Sequence, residues 1–172
     1  MSLRHALLGM LAEAPHSGWD LTKRFERSLG NVWTASHSQI YTQLGKLEAE
    51  GLAEVVATFP RGRKDYRATE AGRAEVVRWL RETEPSGTQR NEAMLRVFLL
   101  WLLEPGEARA YLEREAATHA EQLAFYEDLA AAWQGDDPPQ RAFRVALEAG
   151  LRIERAYVEW ARWAAAQYDD AS

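Results

Sequence analysis

Apolar residues recur at helical spacing in the stretch from 36 to 51. Ile40, Leu44 and Leu47 fall at i, i+4 and i+7, so they lie on one face of a helix. Gly51 follows this pattern and is a typical helix stop. The spacing therefore predicts a short amphipathic helix that packs through its apolar face.

The opposite face of this predicted helix is polar, and most of its side chains are uncharged. It consists of Ser38, Gln39, Thr42, Gln43 and Lys46, and Ser36 or Ser38 is the predicted N-cap. Hydroxyl and amide groups both donate and accept hydrogen bonds, which is what reading the base edges of DNA requires. A plain surface helix also has a solvated polar face, so the helix alone leaves both interpretations open.

Two strand-like runs follow the helix and are joined by a turn. Apolar side chains alternate in both runs, at Val55, Ala57 and Phe59 and then at Tyr66 and Ala68. Pro60 and Gly62 mark the turn between them. The order helix, strand, loop, strand is that of a winged helix-turn-helix. In that fold the helix enters the major groove while the loop contacts the DNA backbone beside it.

The turn carries three cations, Arg61, Arg63 and Lys64. Cations at this place suit a DNA backbone, because each phosphate that they neutralise releases a counterion. The alternative is a solvated charged loop that discourages pairing of the strand edge. The polar helix directly before the turn favours the DNA-binding interpretation.

Four segments resemble PadR-like transcriptional regulators. The run 38–52, SQIYTQLGKLEAEGL, is similar to the recognition helix of that family, and the run 61–73, RGRKDYRATEAGR, is similar to its wing and next helix. LLGML at 7–11 and SGWDL at 17–21 match the family's first two helices. The rest of the chain resembles the family's all-helical C-terminal domain, by pattern more than by motif.

The resemblance implies a mainly α fold with a small β-hairpin wing. It implies a winged-helix DNA-binding domain at 1–84 and an antiparallel helical domain for dimerisation and effector binding at 89–172. Thr42 departs from the family pattern, in which proline usually follows the Ile-Tyr pair, and this departure bears on how the helix meets the groove. The DNA-binding residues predicted in this way are Ser36, Ser38, Gln39, Tyr41, Thr42, Gln43, Lys46, Arg61, Arg63 and Lys64.

Members of this family are most often repressors, and they often respond to aromatic or other hydrophobic small molecules. The resemblance therefore implies an operator, a homodimer and an effector pocket. Tryptophan rings offer such ligands flat apolar walls with one N–H donor. The candidate effector contacts are Trp101, Tyr126 and Trp160. The same rings also suit a helical core or a dimer seam, and that alternative stays open.

The other helices of the first half are predicted from periodicity and caps. Helix one runs from about Ser2 to Glu13. Helix two opens at Ser17, with Asp20 as its capping-box partner, and ends at Gly30.

The connector and the fourth helix complete the first half. Trp33 lies in the connector and is predicted to plug the small core. Helix four starts near Thr69 and is predicted to pack through Ala74, Val77 and Leu80.

The second half is predicted to form three helices. The run Glu92–Leu103 is apolar nearly all round, so it must be buried on all sides. Pro105 begins the next helix, and the last helix spans roughly 45 Å and ends at Tyr168. The surplus apolar surface predicts a homodimer, whose recognition helices meet half-sites about 34 Å apart. The alternative is a monomer in which the three helices cover one another.

Charge and composition narrow the possible functions. The net charge is −5, but residues 1–82 hold 12 Lys+Arg against 10 Asp+Glu, so the acidic excess lies in the second half. Charges are screened within about 8–10 Å, so an acidic second half is compatible with DNA binding by the first. The chain has no cysteine, which excludes disulfides and thiolate metal sites. Neither a signal peptide nor a membrane span is recognised, and a cytoplasmic protein is expected.

The sequence contains no recognised motif for catalysis or for metal binding. His5, His16, His37 and His119 are scattered, so no metal site and no cofactor are expected. The glutamates near His119, which are Glu113, Glu115 and Glu121, are interpreted as the solvated face of a helix. No phosphate loop or nucleophile elbow is present, and no enzyme is predicted.

Two other classes of protein share the winged-helix pattern. A MarR-type regulator would usually place a dimerising helix before the winged helix, whereas the first core helix here begins near Ser2. A winged-helix protein-interaction adaptor that does not bind DNA is the other alternative, and the basic wing disfavours it.

Overall fold

A computed structural model of the chain describes residues 3–28, 35–85 and 91–168. The elements fall into two compact units, Met1–Gly87 and Thr88–Ser172, called the N-terminal and C-terminal units below. The described residues are mostly helical and include one small antiparallel sheet. The fold class predicted from the sequence is confirmed.

The N-terminal unit has the element order of a winged helix. Its helices are α1 (Leu3–Glu13), α2 (Gly18–Ser28), α3 (His37–Ala49) and α4 (Glu70–Glu82). Its strands are β1 (His16–Ser17), β2 (Ala53–Thr58) and β3 (Lys64–Ala68), paired antiparallel in the order β1-β3-β2. Strand β1 was not predicted, because two residues are too short to show alternation. It matters for the site because it ties the start of α2 to the wing strand β3.

The core of the N-terminal unit confirms the periodicity of α1 and α3. Ile40, Leu44 and Leu47 are buried as their spacing predicts, and they pack with Leu7 and Leu11 of α1. Burying a side chain of this size stabilises the fold by about 1.5–3 kcal/mol relative to leaving it in water. This apolar contact fixes α3 and leaves its polar face outward.

Helix α4 corrects one prediction. Ala74, Val77 and Leu80 were expected to face the core, but all three are exposed. The inward face is Gly72, Val76 and Trp79, which also fall at i, i+4 and i+7. The register was misassigned because its first position is a glycine, which has no side chain to mark it as apolar. The predicted stop at Gly30 and plug at Trp33 lie outside the described residues.

Gly72 is the point where α4 lies against the chain that leads into β2. A Cβ atom added there would lie 2.1 Å from the carbonyl oxygen of Leu52. That oxygen is held in place because it accepts a hydrogen bond from the Thr69 N–H at 3.0 Å. The approach therefore requires glycine.

Gly72→Ala should destabilise the protein by about 1–3 kcal/mol, the usual cost of overpacking a core. The matched control is Gly9→Ala on α1, where an added Cβ meets nothing within 4 Å. This control should be neutral or stabilising by up to about 1 kcal/mol, because alanine favours helix over glycine. Urea unfolding followed by far-ultraviolet circular dichroism measures both. Equal effects of the two variants would contradict the close approach at Gly72.

The C-terminal unit is built on two long helices. Its elements are α5 (Glu92–Phe98), a 3-10 turn at Leu100–Leu102, α6 (Pro105–Ala131) and α7 (Pro138–Ala166). The predicted start of α6 at Pro105 is confirmed, and α7 ends two residues before the predicted Tyr168. Helices α6 and α7 pack against each other as an antiparallel hairpin over most of their length.

The predicted helix from Glu92 to Leu103 is wrong in two respects. Helix α5 ends at Phe98 and gives way to the 3-10 turn, and within the chain only Leu100 of this run is buried. Leu100 packs on α6 and α7, and these two helices cover only one side of the segment. Most of the other large apolar side chains of this run are exposed. The four most exposed, Leu95, Phe98, Trp101 and Leu102, are called the α5 face below.

Candidate nucleic-acid interface and effector pocket

The N-terminus of α3 is fixed by a capping box. The Gln39 N–H donates to Ser36 Oγ at 3.3 Å, and the Ser36 N–H donates to Gln39 Oε1 at 2.8 Å. Ser36 is therefore the N-cap, and Ser38 lies beside it with the two hydroxyl oxygens 3.2 Å apart. Because the amide oxygen of Gln39 serves the cap, its amide nitrogen is the polar group that remains for a contact outside the helix.

The outer face of α3 presents most of the side chains predicted to read DNA. The exposed ones are Ser36, Ser38, Gln39, Tyr41, Thr42 and Lys46, whereas Gln43 is half-buried. The ring of Tyr41 lies over the start of α2, where a Cβ added to Gly18 would come within 2.6 Å of it. Tyr41 is one of the residues predicted to bind DNA. The structure shows that it packs against Gly18 while remaining partly exposed.

The wing turn has a defined conformation. Residues Pro60–Gly62 form a 3-10 turn, and Gly62 has φ of 78°, a left-handed value that favours glycine. The Phe59 N–H donates to the Arg63 carbonyl oxygen at 2.7 Å and closes the loop. The Arg63 guanidinium lies 5.1 Å from the centre of the Phe59 ring. The backbone of Arg61 belongs to this turn, but its side chain lies outside the described part of the chain.

Ion pairs connect two wing cations to the helices. Arg63 Nη2 lies 3.4 Å from Asp20 Oδ2 of α2, and Lys64 Nζ lies 3.6 Å from Glu48 Oε1 of α3. All four side chains are partly exposed, and exposed pairs of this kind contribute at most about 1 kcal/mol. The contacts orient the cations, and a phosphate can replace either carboxylate at low energetic cost.

Asp20 also confirms the capping box predicted at the start of α2. The Asp20 N–H donates to Ser17 Oγ at 3.1 Å, and the Ser17 N–H donates to Asp20 Oδ2 at 3.2 Å. The Ser17 hydroxyl also donates to Asp20 Oδ2, at 2.6 Å. The hydrogen bond from the Ser17 hydroxyl holds the pKa of Asp20 below its usual value, and the charge of Arg63 lowers that pKa further. Asp20 thus stays ionised near neutral pH as a partner for Arg63.

A cleft of about 480 Å³ separates the start of α2 and α3 from the wing. Its lining combines aromatic rings, cations and small residues, which are Ser17, Gly18, Trp19, Tyr41, Gly62, Arg63, Lys64 and Tyr66. Hydroxyl and indole donors together with cations are the groups that contact DNA phosphates and sugars. Sequence reasoning missed Trp19 and Tyr66 as possible contacts, although Trp19 is 58% exposed. For Trp19, the only indication in the sequence was its position in the first turn of a helix with a predicted N-cap.

The C-terminal unit contains a smaller cavity of about 150 Å³. It is lined by Asn91, Ala93, Met94, Val97, Glu115, His119, Tyr157 and Trp160. Of the three predicted effector contacts, Trp160 borders this cavity. Trp101 lies on the 3-10 turn and is 72% exposed, and Tyr126 packs against Gly150 at another level of the α6–α7 hairpin.

His119 is held at this cavity by two residues of α7. Its Nδ1 lies 2.5 Å from Glu154 Oε2, and its ring stacks on Tyr157 with centroids 4.5 Å apart. The carboxylate partner therefore comes from α7. Among the glutamates near His119 on its own helix, Glu113 pairs with Arg109 at 2.8 Å. Glu115 borders the cavity and is not simply solvated as the sequence suggested.

Comparison with known proteins places the chain in a family. Residues 7–78 match the family described as the transcriptional regulator PadR-like family, and residues 89–169 match the virulence activator alpha C-terminal family. The chain is 32% identical over 168 residues to the negative transcriptional regulator PadR of Bacillus subtilis (strain 168), and the match covers 92% of each protein. The chain belongs to the PadR-like family of transcriptional regulators.

Solved structures of a PadR-like protein agree with this assignment. The crystal structure of B. subtilis PadR in complex with operator DNA matches with a TM-score of 0.87 at 29% identity, over 98% of this chain and 100% of the other. The structure of the same protein with p-coumaric acid matches with a TM-score of 0.82 at 30% identity, over 98% and 99% of the two chains. The resemblance to PadR-like regulators drawn from the sequence is confirmed, and the MarR-type alternative is set aside.

The described ranges of this PadR-like chain were also compared with the requirements of a metal site and of a membrane-spanning helix. Within them, no group of three or more His, Asp or Glu side chains is placed to hold a metal ion. None of the helices in those ranges is both long enough and apolar enough to cross a membrane.

Proposed function

We propose that the chain is a homodimeric repressor that binds a double-stranded operator and is controlled by a small aromatic effector. The observation that carries the proposal is the arrangement beside the cleft. The capped helix α3 presents hydroxyl and amide groups outward, and the wing holds Arg63 and Lys64 next to them. The relative solved with operator DNA supports the same use of this fold.

The two structural units receive different roles in this proposal. Residues 1–84 bind DNA, with the α3 face in the major groove and the wing turn on the backbone. Residues 89–172 form the dimer and hold the effector. The exposed α5 face supports dimerisation, because isolated soluble chains rarely expose a contiguous surface of large apolar side chains. The relative solved with p-coumaric acid supports an aromatic effector.

The experiment that tests this function is operator capture. Fragmented genomic DNA, with the region beside the chain's own gene as the first candidate, is passed over the immobilised full chain at physiological salt. We expect one or a few fragments to bind with dissociation constants of roughly 10⁻⁸–10⁻¹¹ M, at least about a thousandfold tighter than random DNA. Equal retention of all fragments would contradict an operator. Retention of none would favour the adaptor that does not bind DNA.

Gln43→Ala and Gln39→Ala should each weaken operator binding by about 1–3 kcal/mol and affect random DNA much less. Gln39 carries an additional expectation, because its oxygen caps α3 at Ser36. Gln39→Glu keeps that acceptor but removes the amide donor, so it should keep the fold and still lose discrimination. Titrations against operator and scrambled DNA measure these effects. Equal losses on both DNAs would show that these residues position the protein and do not read bases.

A further inference from the structure

Asp20 places a negative charge beside the wing cation Arg63. The three residues before it line the cleft together with Arg63, and they are Ser17, Gly18 and Trp19. Asp20 Oδ2 lies 3.4 Å from Arg63 Nη2. A DNA phosphate that approaches Arg63 in this cleft therefore meets a carboxylate at the same guanidinium group.

The Asp20 carboxylate is anchored by contacts that do not involve Arg63. Its Oδ2 accepts hydrogen bonds from both the hydroxyl and the backbone N–H of Ser17, and Ser17 is itself buried. These hydrogen bonds persist when Arg63 turns to another partner. The charge of Asp20 therefore stays in place, and it repels a phosphate that has replaced it at Arg63.

Arg63 is oriented by two groups besides Asp20. Its Nε lies 3.3 Å from Asp65 Oδ1, and its guanidinium lies 5.1 Å from the centre of the Phe59 ring. Loss of the Asp20 charge leaves both contacts intact. The role of Asp20 at Arg63 is therefore competition for Nη2, because other groups already hold the side chain.

The second ion pair of the wing differs in how its carboxylate is held. Glu48 Oε1 lies 3.6 Å from Lys64 Nζ. In the part of the chain that the structure describes, the Glu48 carboxylate makes no hydrogen bond or ion pair other than this one. A partly exposed glutamate with one partner can rotate towards solvent when a phosphate takes its place. Asp20 is thus the carboxylate of the two that stays beside its cation.

We propose that Asp20 is a positioning residue that acts through Arg63, and that its anchored carboxylate competes with DNA phosphate for this cation and so limits the affinity of the wing for DNA. The inference rests on the proposed function in one respect, which is that the wing meets phosphate. Phosphate contacts carry no sequence information and supply most of non-specific binding. The competition therefore weakens the binding of random DNA as much as that of the operator, which limits retention of the protein on non-specific sites.

Asp20→Asn tests the competition. Asparagine keeps an oxygen that accepts the hydrogen bonds of Ser17, but it removes the charge. We expect the full chain to bind operator and random duplexes about two- to fivefold more tightly, which corresponds to the contribution of one partly exposed ion pair. The gain should shrink as salt rises, because added ions screen the charge of Asp20. Fluorescence anisotropy titrations at several salt concentrations measure both effects.

A purely structural role of Asp20 predicts the opposite sign. Loss of a carboxylate from the first turn of α2 removes a favourable interaction with the helix dipole, so it would destabilise the helix and weaken DNA binding. Circular dichroism checks that the variant folds. Unchanged or weaker binding of DNA by folded Asp20→Asn would overturn the proposal.

Two further variants separate the effect of position from that of net charge. Asp136→Asn makes the same substitution in an ion pair of the C-terminal unit, where Asp136 Oδ1 lies 3.3 Å from Arg141 Nη2, and it should leave DNA affinity unchanged. Glu48→Gln removes the mobile carboxylate of the wing and should give a smaller gain than Asp20→Asn. A gain in either variant as large as that of Asp20→Asn would overturn the specific role of the anchored Asp20.

The dependence on Arg63 is tested by combining two substitutions. In a chain that carries Arg63→Ala, the additional change Asp20→Asn should raise DNA affinity much less than it does in the unaltered chain. A gain of undiminished size would show that Asp20 acts without Arg63 and would overturn the proposal. Absence of any DNA binding by the unaltered chain would refute the proposed function and this inference together. Tighter binding of random duplexes by Asp20→Asn, without any preferred operator, would support the competition and refute the operator alone.

Discussion

A chain carrying Phe98→Asp and Trp101→Asp should be a folded monomer that has lost most of its operator affinity. The two side chains are 77% and 72% exposed within one chain, so the substitutions spare its own core. In a dimer joined through the α5 face they would bury two carboxylates per chain in apolar surroundings. Burying an unpaired charge costs several kcal/mol even after relaxation, which is enough to separate the protomers.

The effect on DNA follows from the loss of avidity. A dimer binds two half-sites through linked recognition helices, and linkage of this kind commonly raises overall affinity by about 10²–10⁴. A monomer with an intact α3 and wing would keep only the affinity of one half-site. Sedimentation velocity reports the assembly, and titration against operator and half-operator DNA reports the decrease in affinity. Only the full operator should show the large change.

Val145→Asp is the matched control, because Val145 is also apolar and 68% exposed but lies on the first half of α7, away from the α5 face. It should leave both the dimer and operator binding unchanged. A double variant that remained a dimer with full operator affinity would remove the α5 face from the interface. Loss of the dimer in the control as well would point to a wider interface that includes the start of α7.

Short-range physics explains why the DNA-binding half was largely predictable from its sequence. The cap at Ser36 acts over three residues, and the apolar face of α3 is set by spacings of three and four. The wing turn at Pro60–Gly62 depends on the backbone preferences of its own proline and glycine. Each of these features depends on residues that are close together in the sequence, so each can be recognised from the sequence alone.

Contacts between distant residues were not predictable. Asp20 meets Arg63 across 43 positions, and His119 meets Glu154 across 35. Each side chain alone is an ordinary polar position on a helix or loop, and only the packing of the elements brings the partners together. The inward position of Gly72 was not predicted for the same reason, because its role depends on the Leu52 carbonyl that approaches it.

The apolar run from Glu92 to Leu103 shows a different limit. Its composition predicted burial on all sides, but composition does not say whether the cover comes from the same chain or from a second copy. The structure assigns Leu100 to the chain's own core and leaves the α5 face uncovered. Dimerisation thus remains a prediction, and the α5 face makes it specific enough to test.

The second large prediction concerns how DNA affinity depends on salt concentration when the wing cations are removed. Replacing Arg61, Arg63 and Lys64 together with alanine should weaken binding to operator and to random DNA alike. The slope of log affinity against log salt should flatten by about 0.9 for each phosphate that is no longer neutralised, or roughly 2.7 for three phosphates. The fold should survive, because Arg63 and Lys64 make only partly exposed ion pairs with Asp20 and Glu48, worth at most about 1 kcal/mol each.

The control for the wing must remove the same charge from a surface that does not meet DNA. Arg141, Arg144 and Arg152 of α7 provide it, because all three are exposed and paired with carboxylates as Arg63 and Lys64 are. Their triple alanine variant changes the net charge by the same amount. Any decrease in DNA affinity common to both variants therefore measures the effect of the net charge of the protein, apart from direct contacts with phosphates. A further decrease and a flatter slope confined to the wing variant would place phosphates at the wing turn. If both variants kept the slope of the unaltered protein, the wing would lie outside the DNA interface, and α3 alone would have to account for binding.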